Sequence, residues 1–239
     1  AVRLIARPTS IFTATYIYVA KVRRIFGDDH PQGVFDSDSH IVQPEARTPI
    51  GQVSAYAYLL DFSNAPSLST ATFGARLTGA RPLGGGLSVT YEAEYARQGD
   101  YGSNPSSYDV DYVAASLGLR RGPSSASVGL ERLSGDGVHA FQTPLASLHP
   151  FQGWADVFLT TPPGGVRDLN LRASTTVNVG HPAHALRILA AAHDFTSDDG
   201  DVRYGREANL SLQIPIIRRL SAELTGAWFD GQGAFVDRN

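Results

Sequence analysis

The chain contains no cysteine and no methionine. Without cysteine there is no disulfide, no thiolate nucleophile and no cysteine-based zinc site. Without methionine even at position 1, and with no charged-then-apolar leader, the sequence reads as processed or as part of something longer. No apolar run reaches the roughly 18–20 residues of a membrane-spanning helix. That excludes a helical membrane protein but not a membrane barrel, whose tilted strands need only about 9–11 residues each. Basic residues are not in surplus: the formal charge is −3 and the pI about 6.2. Nucleic acid is therefore not an expected partner. Gly-x-Ser-x-Gly, His-Glu-x-x-His, the phosphate-binding loop and the dinucleotide fingerprint are all missing. No catalytic residue, cofactor or resident metal is assigned, and the protein is read as a non-enzyme.

What is present is alternation. In residues 11–25, Phe12, Ala14, Tyr16, Tyr18, Ala20 and Val22 fall on one face, with Thr13, Thr15, Lys21 and Arg23 on the other, along with Ile17 and Val19. Period two over that length means a strand, because successive side chains point to opposite sides. The pattern recurs about twelve times among 239 residues. Most of these segments exceed the 5–6 residues usual in soluble sheets. Pro44 cannot donate to a ladder, so an irregularity is expected there. The connections alternate between short turns (8–10, 49–50, 82–86, 121–123, 180–183, 215–218) and longer loops (26–38, 63–68, 99–107, 134–166, 196–202). Short turns on one side and long loops on the other are the rhythm of outer-membrane barrels. The fold expected is all-β: an antiparallel transmembrane β-barrel with about twelve strands visible, spanning 1–239 as one domain.

Residues 134–166 form the longest interruption. A loop of this length inside a compact domain usually has a function. Its apolar residues need a surface to pack against. The expectation is that it folds into the lumen as a constriction, with Trp154 and Phe158 on a short helical turn; the other reading is an external cap or adhesive surface.

The charged residues assigned to the polar, pore-lining face are Lys21, Arg23, Arg47, Arg76, Arg172 and Arg187, with Glu45, Glu92, Glu94, Glu131, Glu207 and Glu223. Equal numbers of each sign leave no net lumenal charge. They either set selectivity, as rings of charge do in channels, or solvate the wall and pair with one another. Glu92 and Glu94 share a face about 7 Å apart, within range of a glycosidase pair, and are read as wall charges. His181 and His184 read as solvated turn residues. Asp28, Asp29, Asp36 and Asp38, like Asp198, Asp199 and Asp201, lack EF-hand spacing and read as polar loop surface.

Several blocks together carry a family resemblance: RIFGDDHPQGVFDSDSH (24–40), YAYLLDF (56–62), GARLTGARPLGGGLSVTYEAEYARQGDYGSNP (74–105), FQTPLASLHPFQGWADVFLTTP (141–162) and HDFTSDDGDVRYGRE (193–207). The loop block is the most specific, because Gln142, Pro144, His149, Gln152, Trp154 and Asp156 are not dictated by strand alternation. From about 24 to 230 the chain resembles the alginate-export-like family of bacterial outer-membrane porins. The resemblance implies a monomeric barrel of about eighteen strands in the bacterial outer membrane. It would contact lipid and pass small polar or anionic solutes, with acidic polysaccharide such as alginate, a polyuronate, as the candidate cargo. It also makes Gln142, His149, Gln152, Trp154 and Asp156 candidates for a constriction loop. A non-transporting structural or adhesive barrel, or a barrel subunit of a larger envelope assembly, is the alternative.

Overall fold

A computed structural model describes residues 1–24, 27, 29–30, 33–145, 152–180 and 185–236. Twelve antiparallel strands follow in sequence order, β1 (Val2–Ala6), β2 (Phe12–Arg23), β3 (Val34–Thr48), β4 (Gly51–Leu60), β5 (Thr70–Gly84), β6 (Leu87–Asp100), β7 (Asp109–Arg121), β8 (Ser124–Leu133), β9 (Val166–Asn178), β10 (Ala185–Thr196), β11 (Arg203–Ile217) and β12 (Leu220–Gly231). Their order in the sheet is their order in the chain, with β1 and β12 at its ends. The one helical element among the described residues is a 3₁₀ turn at Pro66–Leu68. β2 to β12 run 10–15 residues each, long enough for a tilted membrane strand.

The chain packs as two compact units, one of residues 1–79 and 93–112, the other of 80–92 and 113–239. In the first, registers carry one polar row across four strands: Thr13 opposite Glu45, Glu45 opposite Ser54, Ser54 opposite Arg76. The other face is apolar, with Ala57 opposite Phe73 and Val53 opposite Leu77. Phe35, Leu60 and Phe62 form a core cluster at one end, with Val22, Ile41 and Tyr58 packed on it. Pro44 stays in the ladder, opposite Ala14 of β2. On the β4 side, however, the pairs go from Val42↔Ala57 to Glu45↔Ser54, with none at Gln43 or Pro44. The expected irregularity is therefore confined to one side of the strand.

A bulge between Val19 and Lys21 shifts the β2–β3 register. Val22 then packs with Ile41 and Tyr58 from the polar side of the wall. Alternation carries Lys21 and Arg23 to the opposite side. Lys21 pairs there with exposed Asp36 at 3.3 Å. β3 begins earlier than the sequence suggests because Phe35, 3% exposed, is anchored in that core.

In the second unit the apolar face runs Val128, Leu171, Ala192, Ala208 and Trp228, strand by strand. The polar face carries Ser127, Arg172, Ala191, Asn209 and Ala227 in register. Its core gathers Phe158, Val166, Phe195, Tyr204 and Phe229. Phe158 comes from the long connection, with its ring 4.8 Å from that of Phe195. The expected helical turn at Trp154 and Phe158 does not form: residues 152–165 are bends and turns. Gln152, Gly153 and Asp156 all have positive φ (49°, 82° and 52°), and left-handed residues cannot continue a right-handed helix. The hairpin between β5 and β6 turns at Gly85 and Gly86, both at positive φ, as a two-residue primed turn requires.

Phe195, fully buried, tests this packing. Phe195→Ala should cost about 3–5 kcal/mol of unfolding free energy. Val138→Ala, at a loop position 74% exposed, should change it by less than about 0.5 kcal/mol. Urea titrations of the two variants make the comparison.

Candidate functional site

The strongest candidate site lies on the polar face of β10, β11 and β12. Arg187, Gln213 and Glu223 stand in one row across the three strands. With Leu189, Ser211, Thr225, Ala227 and, from the long loop, Trp154, they line a cavity of about 450 Å³. Among the described residues the Arg187 guanidinium has no hydrogen-bond or ion-pair partner. Glu223 is occupied by the Ser211 hydroxyl, which donates to it at 3.0 Å, and by that of Thr225 at 3.5 Å. The arrangement offers an unpaired cation, an amide, hydroxyls and a flat apolar wall, the usual make-up of a small-molecule site.

Among the contacts that hold the loop, three bear on this site. Gln142 pins its two ends: its side-chain amide donates to the Thr161 carbonyl at 2.8 Å and accepts from the Thr161 N–H at 3.1 Å. Phe158 enters the aromatic core. Glu207 Oε1 accepts the backbone N–H groups of Trp154 (2.5 Å) and Ala155 (3.0 Å) and the side-chain amide of Asn209 (2.6 Å). Gln152 and Asp156 flank that contact. His149 lies outside the described residues, as do Asp28, His181 and His184.

Beneath the loop the wall is unusually polar. Asp168, His193, Glu207 and Asn209 are each at most 5% exposed, and Glu131 and Asn170 are 7% exposed. Asp168 Oδ2 accepts from Asn170 (3.1 Å) and bonds His193 Nδ1 (2.8 Å). The His193 ring stacks on Phe195 at 5.4 Å. Among the described residues, four atoms of this cluster, Asp168 Oδ1, His193 Nε2, Glu207 Oε2 and Asn209 Oδ1, have no hydrogen-bond partner. Buried polar clusters with open valences are rare away from functional sites.

The remaining candidates are dispersed. Arg76 and Glu94 pair at 3.5 Å, and Glu94 also accepts from the Tyr56 hydroxyl at 2.5 Å. Glu45 accepts from Gln43 (3.2 Å) and Gln52 (3.1 Å). Arg47 is exposed opposite Gln52, and Glu92 lies on β6. Arg172 is exposed on β9, opposite Ser127 and Ala191. Lys21 and Arg23 stand apart from these rows, for the reason the bulge supplies. The structure thus brings together Arg187, Glu207, Glu223 and Trp154 of the residues singled out from sequence. Asp168, Asn170, His193 and Asn209 were not singled out. Their signal was polar residues two apart in β9 and β11, which alternation read as wetted wall.

A larger hollow of about 690 Å³ lies on the apolar face, between Val89, Leu117, Leu119, Val128 and Leu171. Ser127 and Arg172 also border it, but alternation directs their side chains to the other face. It offers nothing to orient a polar solute.

No protein-family model matches the chain, and no curated protein is similar to it. Solved structures do match its fold. OpdL of Pseudomonas aeruginosa superposes with a TM-score of 0.71 at 19% identity, over 96% of this chain and 65% of that one. The outer membrane protein OpdK of the same organism, with vanillate, gives 0.70 at 15% identity over 98% and 64%. OccK2 (OpdF) of P. aeruginosa, in complex with glucuronate, gives 0.62 at 16% over 94% and 63%. These neighbours are β-barrel porins of the outer membrane, channels and not enzymes. The chain spans slightly less than two thirds of the length of each of these three. The alginate-export resemblance finds no support among them.

Asp61 anchors a second loop in the same manner as Glu207. Its Oδ1 accepts from the Ser103 hydroxyl (2.7 Å), the Ser103 N–H (3.1 Å) and the Ser69 hydroxyl (3.1 Å). The Ser103 hydroxyl is the largest of the contacts that hold its carboxyl below the ordinary aspartate range. A depressed folded value means the tie is complete above the unfolded pKa, about 3.9, and is lost as pH falls through the folded one. A nitroxide label at exposed Ser107 should therefore stay restrained at neutral pH and gain mobility only below that range. Asp61→Ala should give the mobile spectrum at neutral pH.

Proposed function

We propose that the chain forms part of the wall of a bacterial outer-membrane channel that passes small anionic or polar solutes by diffusion. Arg187 carries the reading. Among the described residues it is an unpaired guanidinium in a lined cavity, on a polar face whose reverse is largely apolar. An apolar outer face and a polar inner one are what a membrane barrel requires. Twelve strands in 65% of a neighbour's length scale to about eighteen in the whole. We take that as the size of the barrel, with the loop 134–166 as its constriction.

The neighbours' ligands support the solute class. Vanillate and glucuronate each present one carboxylate on a six-membered ring. In this chain Arg187 would take the carboxylate. Trp154 and Leu189 would meet the ring face, and Ser211, Gln213 and Thr225 would meet hydroxyl groups. A cavity of about 450 Å³ accommodates one such ring, which favours a monomeric acid over the polyuronate expected from the sequence resemblance. The channel reading needs no cofactor and no second subunit.

Planar-bilayer recording tests this. The purified protein should give stepwise currents, and benzoate or glucuronate added to one side should reduce them. Arg187→Gln should raise the concentration for half-reduction roughly tenfold, the weight of one charge-assisted hydrogen-bonded contact. Absence of conductance would instead fit a structural wall. Conductance with unchanged block in the variant would move the anion site elsewhere.

A further inference from the structure

We propose that Glu207 is the positioning residue of the constriction: it holds the backbone at Trp154 and thereby sets the aromatic wall of the Arg187 site. The inference rests on the channel reading for its consequence, while its geometry stands independently of it.

Three of the five residues from Gln152 to Asp156 have left-handed backbone. Two of them carry a Cβ, for which this conformation is uncommon. Such a path turns successive N–H groups inward, making a concavity that suits an anion. Here the anion comes from the wall. One carboxylate oxygen of Glu207 collects the N–H groups of Trp154 and Ala155 and the Asn209 amide. The residue is 3% exposed, so these charge-assisted bonds are shielded from competing water. Gly153 permits the approach: a Cβ there would stand 2.3 Å from Glu207 Oε2, a distance no carbon can occupy.

The carboxylate and the glycine thus form a matched pair, one on β11 and one on the loop. The indole that emerges beside them lines the cavity with Arg187. Phe158 fixes the loop four residues further on, in the aromatic core, and Gln142 fixes its ends. Neither of those ties touches the backbone at Trp154. Glu207 does, from a position four residues up the strand from Ser211, which belongs to the cavity itself. Its role is therefore on the ring-recognising side of the site and not on the carboxylate-recognising side.

That division gives the experiment. Block of the current by benzoate, a flat ring, is measured for the wild type, Glu207→Ala, Gly153→Ala, Trp154→Ala and the Glu207→Ala/Trp154→Ala pair. Glu207→Ala attacks the anchor from the wall and Gly153→Ala from the loop, so misfolding of one variant does not remove the test. Either change should weaken block by benzoate roughly tenfold, matching Trp154→Ala. The double variant should be no weaker than Trp154→Ala alone, since residues acting through one contact are not additive.

Acrylamide quenching follows the loop without any current. The chain has two tryptophans, and Trp228→Phe on the apolar face leaves Trp154 as the single emitter. Quenching of that emission should rise severalfold on adding Glu207→Ala or Gly153→Ala. Unchanged quenching and unchanged block in both variants would overturn the proposal, as would additive losses in the double variant. A wild type that carries no current would remove the channel reading, and the quenching result would still decide the anchor.

Discussion

Asp61 and Glu207 receive backbone N–H groups from loops that have no strand to pair with. An N–H left unpaired away from water costs as much as a lost hydrogen bond. A long connection lying on a sheet face must therefore find acceptors, and the sheet's own carbonyls are already used in the ladders. Both anchors solve this with a side chain delivered from the wall. Both also face a glycine at positive φ, Gly102 for Asp61 and Gly153 for Glu207, whose missing Cβ lets the backbone come close. Where the loop sits, which residue it presents and how wide the adjoining cavity is all depend on that contact.

The two faces of the wall were legible because alternation is local. Leu171, Ala173 and Val177 against Arg172, Ser174 and Thr176 can be read from β9 alone, and the registers bear the assignment out. So were the number of strands and the rhythm of their connections. Lys21 and Arg23 show where that reading breaks. The register shift after Val19, where two residues of β3 (Ser37 and Asp38) stand against Ala20 alone, leaves Val22 packed in the Phe35 cluster, and nothing in the local composition of β2 announces it. Phe35 signals it only once Phe62, twenty-seven residues on, is known to pack against it.

The site was less legible, for a related reason. Glu207 looked like one wetted wall charge among twelve. Its partners Trp154 and Ala155 are 53 and 52 residues away in the chain. Burial of a carboxylate by a distant loop leaves no periodic trace. The loop's unusual composition did set it apart, and Trp154 and Gln142 were singled out on that ground. The helical turn expected there failed because glycine and two left-handed neighbours shape the segment around an acceptor instead of around its own carbonyls.

On the channel reading, Glu207 and Arg187 would divide the electrostatic work in a way that suits passage more than retention. The loop's inward N–H groups could have held a solute carboxylate, but Glu207 already fills them. That leaves Arg187 as the cation of the cavity, and Glu223 stands two strands away in the same row with Gln213 between. The Ser211 and Thr225 hydroxyls keep Glu223 on its own side. On that reading an arriving anion would meet the guanidinium and, further along the row, a charge of its own sign. Had Glu223 closed on Arg187 as a salt bridge, the row would offer an anion nothing. Had the loop nest stayed open beside Arg187, the two together would make a trap. On the channel reading, the wall carboxylate that fixes the loop would also prevent that trap.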